Sequence, residues 1–265
     1  MTETGILAVL QARMSSTRLP GKSLIPVLGQ PMLLRQVERL RRCREVDRLA
    51  VATSSDASDD ELAALCASHD LACFRGSLED VLDRFVQAAR LYRPVAVIRL
   101  TGDCPLTDPG LIDEVVRFFR HGGYDYVSNC FPPTYPDGLD VEVMRYACLE
   151  EAAKEAVLPS HREHVTPFLR AHPERYRLGN YESPVDRSAL RWTVDEPEDL
   201  EFVRLVYGRL YPVNPNFTTE DILAVLAREP HLGAINARFG RNEGSARSKL
   251  ADRQYLKGLG NVGTV

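Results

Sequence analysis

None of the six cysteines (Cys43, Cys66, Cys73, Cys104, Cys130, Cys148) stands in a C-x-x-C spacing. Zinc binding and thioredoxin-type redox chemistry are therefore not expected, and a chain of 265 residues needs no disulfide framework to hold a core. No apolar run approaches the roughly 18 residues that a membrane-spanning helix requires. The opening MTETG lacks the basic segment of a secretion signal, so a cytoplasmic protein with reduced thiols is expected. No internal repeat is visible. Charge of one sign is also missing: 33 Lys and Arg against 37 Asp and Glu give a net charge of −4. Nucleic acid or membrane binding by the whole surface is not expected from such a balance. The most telling absence is local, because no Asp or Glu occurs between Glu3 and Glu38.

That acid-free stretch contains QARMSSTRLPGKS, Gln11 to Ser23, straight after the apolar run Ile6 to Leu10. It carries Arg13, Arg18 and Lys22, several hydroxyls and a glycine, with no carboxylate to neutralise them. Arginine offers forked donors to phosphate oxygens and lysine a point charge, so the loop reads as an anion site. It is not a P-loop. G-x-x-x-x-G-K-[ST] would need glycine where Ser16 stands, and Pro20 removes a backbone donor from any phosphate nest. A solvated basic loop is the plainer alternative, weakened by the loop's place at a strand's carboxyl end.

With 44% hydrophobic and 26% charged residues the chain can bury an ordinary core. Apolar runs alternate with helical patterns over the first half. Strands are expected at 6–10, 48–54, 71–76 and 95–105, and helices at 31–43, 78–92 and 110–123, the last closed by glycine. Ser58 and Glu61 suggest a capping box before LAALCASHD. This alternation predicts an α/β fold with a parallel sheet covered by helices, whose ligands bind at the carboxyl ends of the strands. Further strands are expected at 124–129, 138–144 and 190–194, and helices at 145–157, 162–171, after Asp195, and at 219–228. From residue 234 glycine and basic residues dominate and periodicity fades, which predicts a mobile tail.

Two aspartates close predicted strands: Asp103 in RLTGDCPLTDP and Asp195 in RWTVDEPEDL. Aspartate often caps the helix that follows, an adequate account of Asp195 before Glu196-Pro197-Glu198. It serves Asp103 less well, because Pro105 and Pro109 delay the next helix. The alternative is a pair of Mg²⁺ ligands, since that ion typically takes one or two carboxylates with phosphate and water oxygens.

QARMSSTRLPGK, TGDCPLTDP and TVDEPEDLE together resemble the cytidylyltransferases that activate acidic sugars, the acylneuraminate and ketodeoxyoctulosonate enzymes. YPDGLDVEVM and SHREHVTPFL resemble the spore coat polysaccharide (SpsF-like) branch in particular. The likeness spans about residues 5–210. It implies a nucleotide-diphospho-sugar transferase fold, a GT-A-like α/β/α sandwich with a mixed, mainly parallel sheet and a small dimerisation extension. It implies one nucleotidyltransferase domain over residues 1–230, with substrate and dimer contacts in 124–190, and a basic tail over 231–265. The reaction implied is transfer of CMP from CTP to a sugar acid with release of pyrophosphate, Mg²⁺-dependent, in a homodimer. Carried over by position, Ala12 and Arg13 meet the nucleotide, Arg18 and Lys22 the triphosphate, and Arg75 and Ser77 the base and ribose, with Thr53 and Ser54 placed similarly. Asp103 and Asp195 would hold the metal, and Arg13, Lys22 and Asp103 would be the catalytic set. Asp140, Arg162 and His164 are candidates for the acceptor, with surface residues of the dimer arm an equal reading of Arg162 and His164. His161-x-x-His164 shows no third metal ligand. Two rival readings remain: a GT-A glycosyltransferase, although no D-x-D motif is evident, and a non-catalytic nucleotide-binding partner.

Overall fold

The computed structural model describes residues 5–241 and 245–262. β1 (Ile6–Gln11) leads through the basic loop and a short 3-10 turn to a two-stranded ribbon, β2 (Pro26–Val27) and β3 (Gln30–Pro31). There follow α1 (Met32–Leu40), β4 (Arg48–Ser54), α2 (Asp60–Ser68), β5 (Cys73–Gly76), α3 (Val81–Arg90), β6 (Ala96–Thr101) and α4 (Pro109–Gly122). The second half holds β7 (Tyr126–Ser128), β8 (Glu142–Arg145), α5 (Tyr146–Glu155), α6 (Pro159–His164), α7 (Pro167–Arg170) and β9 (Leu178–Asn180). It ends with α8 (Pro197–Leu210), α9 (Thr219–Arg228), α10 (Pro230–Ala234) and α11 (Ser245–Val262).

The main sheet has the order β5-β4-β1-β6-β8-β7-β9. Every pairing is parallel except those of β8, which runs against both β6 and β7. Side chains alternate across a strand, and both faces of β1 are buried. Ile6, Ala8 and Leu10 enter a core shared with α1, α4 and α8, while Leu7 and Val9 face α3, α5 and α7. This is the expected α/β/α sandwich with a mixed, mainly parallel sheet.

Several local expectations are corrected. Leu190 to Val194 forms no ladder strand; it touches the loop before β8 by a single Asp137–Arg191 bridge. The helix expected over 162–171 is two short ones, broken where Val165 takes φ 72°, and Pro167 opens the second, where its missing N–H has no helical partner to lose. The Ser58–Glu61 capping box does not form; Asp56 instead accepts from Ser58 N and starts a 3-10 turn. Beyond residue 234, where a mobile tail was expected, the chain forms α11. Its 242–244 and 263–265 stretches lie outside the described residues. Leu250, Tyr255 and Leu256 of α11 are exposed, so no apolar stripe advertised the helix. Among the described residues no helix is long and apolar enough to cross a membrane.

Candidate active site

β1 and β6 lie side by side with Gln11 opposite Thr101, so the loops that leave them rise together from the sheet's carboxyl edge. Gly102 permits their closeness, since a Cβ there would stand 2.8 Å from that of Ala12. The basic loop is pinned from below by Asp59, which is fully buried. One carboxylate oxygen accepts from Met14 N at 2.7 Å, and the other accepts from the Thr53 hydroxyl and Ser54 N, each at 2.9 Å, and from the Ser54 hydroxyl.

The two expected metal ligands converge. Lys22 Nζ donates to Asp103 Oδ2 at 3.2 Å, Asp195 Oδ1 at 2.8 Å and the Val194 carbonyl at 2.8 Å. Asp195 does not arrive at the end of a ladder strand. Its segment is tied to the β6 loop by Val194 N and the Thr193 hydroxyl, which both donate to the Asp103 carbonyl, at 2.8 and 3.3 Å. Gly138, at φ +105°, lets the neighbouring loop pass so close that a Cβ would meet Thr193 N at 2.5 Å. Burial would lift the Asp103 carboxyl, but the Lys22 ammonium and hydrogen bonds from Thr101 and Cys104 hold it down at about 2. Burial works against the Lys22 charge, yet Asp103 and Asp195 keep its pKa above the ordinary lysine range. Arg18 adds an ion pair of 2.7 Å to Asp195. Two carboxylates thus meet one cationic centre, held by Lys22. That donor set fits Mg²⁺, which binds through one or two carboxylates and takes its other oxygens from phosphate and water. Among the described residues no group of three or more His, Cys, Asp or Glu is placed to hold a metal.

Two adjoining cavities meet at this cluster. One, of about 490 Å³, is lined by Ala12, Arg13, Arg18, Lys22 and their loop. The other, of about 690 Å³, lies toward Asp137, Asp140 and Glu142. Arg13, Arg18, Thr101, Asp103 and Asp195 line both. Arg13 is exposed, and its guanidinium makes no ion pair among the described residues, so the fork is available to an anion.

Other expected residues are placed differently. Thr53 and Ser54 are fully buried and spend their donors on Asp59. Arg75 holds the Ser54 and Asp56 carbonyls and Asp60, and the Ser77 hydroxyl accepts from Asp80 N. None of the four lines either cavity. Arg162 is occupied by Asp80 and the Ala153 carbonyl and stays outside both as well. Asp140 and His164 do line the larger cavity. Asp140 is paired with Arg241, and His164 Nε2 lies 2.8 Å from the Ser248 hydroxyl.

The sequence reading passed over three features. Asp199 is fully buried at the start of α8 and accepts five hydrogen bonds of 2.9 Å, from Arg191 twice, Asp195 N, Glu196 N and Asn236. It fixes the backbone that carries Asp195. Arg99 and Glu142 form a buried pair at 2.6 Å, with the Tyr126 and Thr166 hydroxyls donating to Glu142. Arg170, one residue beyond the SHREHVTPFL stretch, lines the larger cavity without an ion pair among the described residues. Its Nε is buried without a hydrogen-bond partner, and its guanidinium carbon lies 3.6 Å from the Phe131 ring centre.

The sequence pattern of the cytidylyltransferases matches residues 7–207, which include both aspartates and the whole basic loop. The chain belongs to the cytidylyltransferase family. It is 36% identical over 234 residues to the spore coat polysaccharide biosynthesis protein SpsF of Bacillus subtilis (strain 168), spanning 85% of this chain and 95% of that one. It is 37% identical over 208 residues to the 3-deoxy-manno-octulosonate cytidylyltransferase of Anaeromyxobacter dehalogenans (strain 2CP-C), 77% of this chain and 79% of that one. A solved cytidylyltransferase from Leptospira borgpetersenii serovar Hardjo-bovis (strain JB197) superposes with a TM-score of 0.80 at 31% identity, over 86% of this chain and 95% of that one. This cytidylyltransferase is therefore a CTP-dependent nucleotidyltransferase, and the glycosyltransferase and non-catalytic readings are set aside.

Proposed function

We propose that the enzyme transfers CMP from CTP to a sugar acid and releases pyrophosphate, in the biosynthesis of a surface polysaccharide or related glycan. The observation that carries this reading is the position of the cationic loop and the two carboxylates on the wall shared by two cavities. The smaller cavity takes the triphosphate and the larger one the acceptor, so the α-phosphorus sits between them. An acceptor oxygen then attacks from the larger cavity in line with the departing pyrophosphate. Such chemistry asks mainly for positioning and neutralisation of charge. Arg13 supplies the fork, and Arg18 and Lys22 supply charge on the triphosphate. Asp103 and Asp195 would hold Mg²⁺, which when bound supplies neutralisation of phosphate oxygens. Support for an acidic acceptor comes from Arg170, which lines the larger cavity and makes no ion pair among the described residues, and from the octulosonate-activating relative. A homodimer and a cytoplasmic location belong to the same reading, as does a nucleotidyltransferase domain running to about residue 230.

Pyrophosphate release tested across four nucleoside triphosphates and a panel of sugar acids decides the matter. CTP with at least one 2-keto-3-deoxy acid is expected to turn over, and ATP, GTP and UTP to lag by an order of magnitude or more, as sites that hydrogen-bond one base edge discriminate. Turnover with a neutral sugar and none with any acid would refute the acceptor assignment.

Arg13 yields a second expectation. Arg13→Lys keeps the charge but loses the planar fork, and an ammonium cannot replace two parallel donors to phosphate. The variant should remain well below wild-type kcat/KM, roughly tenfold for one lost charge-assisted hydrogen bond. Full activity would reduce Arg13 to a generic cation.

A further inference from the structure

The family pattern ends at residue 207, yet the larger cavity is not closed by residues before that point. Ser248 and Asp252 of α11 line it. Ser248 is buried, and its hydroxyl donates to Glu163 Oε2 at 2.8 Å. That leaves the hydroxyl oxygen as the acceptor for His164 Nε2 at 2.8 Å, which fixes the proton of His164 on that nitrogen. Asp252 Oδ1 accepts from Ser160 N at 2.8 Å, and its other oxygen makes no ion pair among the described residues. Arg241 reaches back to pair with Asp140 and to donate to the Tyr135 carbonyl at 3.1 Å, so it holds the 130–140 loop against the same cavity. Arg170 lines the same cavity.

We propose that Arg241 together with Ser248 and Asp252 of α11 forms the acceptor-selecting wall of the larger cavity, where Asp252, and Ser248 through its remaining lone pair, accept from hydroxyl or amide groups of a polyhydroxylated anion whose acid group meets Arg170. The proposal rests on the assignment of that cavity to the acceptor. A carboxylate with an uncommitted oxygen accepts from sugar hydroxyls, and a carboxylate facing a bound anion rejects acceptors that carry negative charge at that end. The segment therefore does two things: it discriminates between acceptors, and it excludes water from the transfer.

The test uses the full chain carrying Ser248→Ala, Asp252→Asn or both, with 3-deoxy-manno-octulosonate as acceptor probe. Loss of one such hydrogen bond is worth about tenfold. The double variant should raise the KM of the probe by about tenfold or more while calorimetric CTP affinity moves by less than about twofold. Without acceptor, it should release pyrophosphate and CMP from CTP faster than the wild type, as water reaches the α-phosphorus in the acceptor's place. Each single variant, which leaves the other anchor intact, should show the same changes in smaller measure. Probe KM and acceptor-free hydrolysis both unchanged in all three would overturn the proposal. If the wild type turns over neither this probe nor any other sugar acid, the acceptor class assigned above fails, and acceptor-free hydrolysis alone decides the wall: a rise supports it and an unchanged rate overturns it.

Discussion

Asp103→Asn and Asp195→Asn are each expected to lower turnover by about 10²–10³, equivalent to roughly 3–4 kcal/mol of transition-state stabilisation. Asparagine keeps the size and polarity of the side chain and removes the charge. Both carboxylates contact the same ammonium, Lys22 Nζ, at 3.2 and 2.8 Å, so they address one cation position. The double variant should therefore be little worse than the worse single one, because the losses share one object. Half-saturating Mg²⁺ should rise in both singles, a readout separate from turnover. Near-native turnover and an unmoved Mg²⁺ dependence in Asp195→Asn would reduce that residue to a helix-start acid. Asp103 also marks a pH limb. Its folded pKa lies below the unfolded value near 4, so its stabilising contribution is complete above about pH 4 and is lost as pH falls toward its folded pKa of about 2.

Asp199→Asn is expected to be the most damaging single change to stability. The carboxylate is fully buried and receives five donors, among them both sides of the Arg191 guanidinium. An amide presents its NH₂ to some of those donors and leaves the buried Arg191 charge only its longer ion pairs to Asp137 and Asp195, at 3.5 and 3.6 Å. Removal of one partner from a buried pair typically costs about 3–5 kcal/mol. For a chain of this size that corresponds to a fall in Tm on the order of 10 °C. Turnover should fall as well, since Asp195 N and Glu196 N lose their common acceptor. A replacement of both partners, Arg191→Met with Asp199→Leu, should recover much of the stability and little of the activity, because an apolar pair removes the stranded charge but cannot order the Asp195 backbone. A Tm of Asp199→Asn within about 2 °C of wild type would show the network to be dispensable.

The first half of the fold was legible because β1, β4 and β6 are largely apolar runs buried on both faces, and β4 and α9 were bounded to the residue. The meeting of the basic loop with Asp103 was legible because they leave the carboxyl ends of the adjacent strands β1 and β6. The illegible parts obey weaker signals. β9 is three residues long, LGN, and joins the sheet only through β7, so no alternation announces it. Leu190 to Val194 looks like a strand because Trp192 and Val194 are fully buried, yet burial there is against helices and loops rather than within a ladder. Thr53 and Ser54 stood at the right strand end, but their hydroxyls were claimed by Asp59, five residues beyond the strand. Asp199 sits among Glu196, Glu198 and Glu201, where sequence alone cannot single out the acid that turns inward. α11 packs through Ser248 and Asp252, polar residues that hydropathy ignores.

The most direct measurement of the central claim is ³¹P NMR of the enzyme with CTP, Mg²⁺ and an acidic sugar. The account predicts that the CTP resonances decline while a CMP-sugar phosphodiester and inorganic pyrophosphate grow in a ratio of one to one, and that Asp103→Asn suppresses both together. Intact CTP across the whole sugar-acid panel, or orthophosphate and CDP in place of pyrophosphate and the diester, would contradict it.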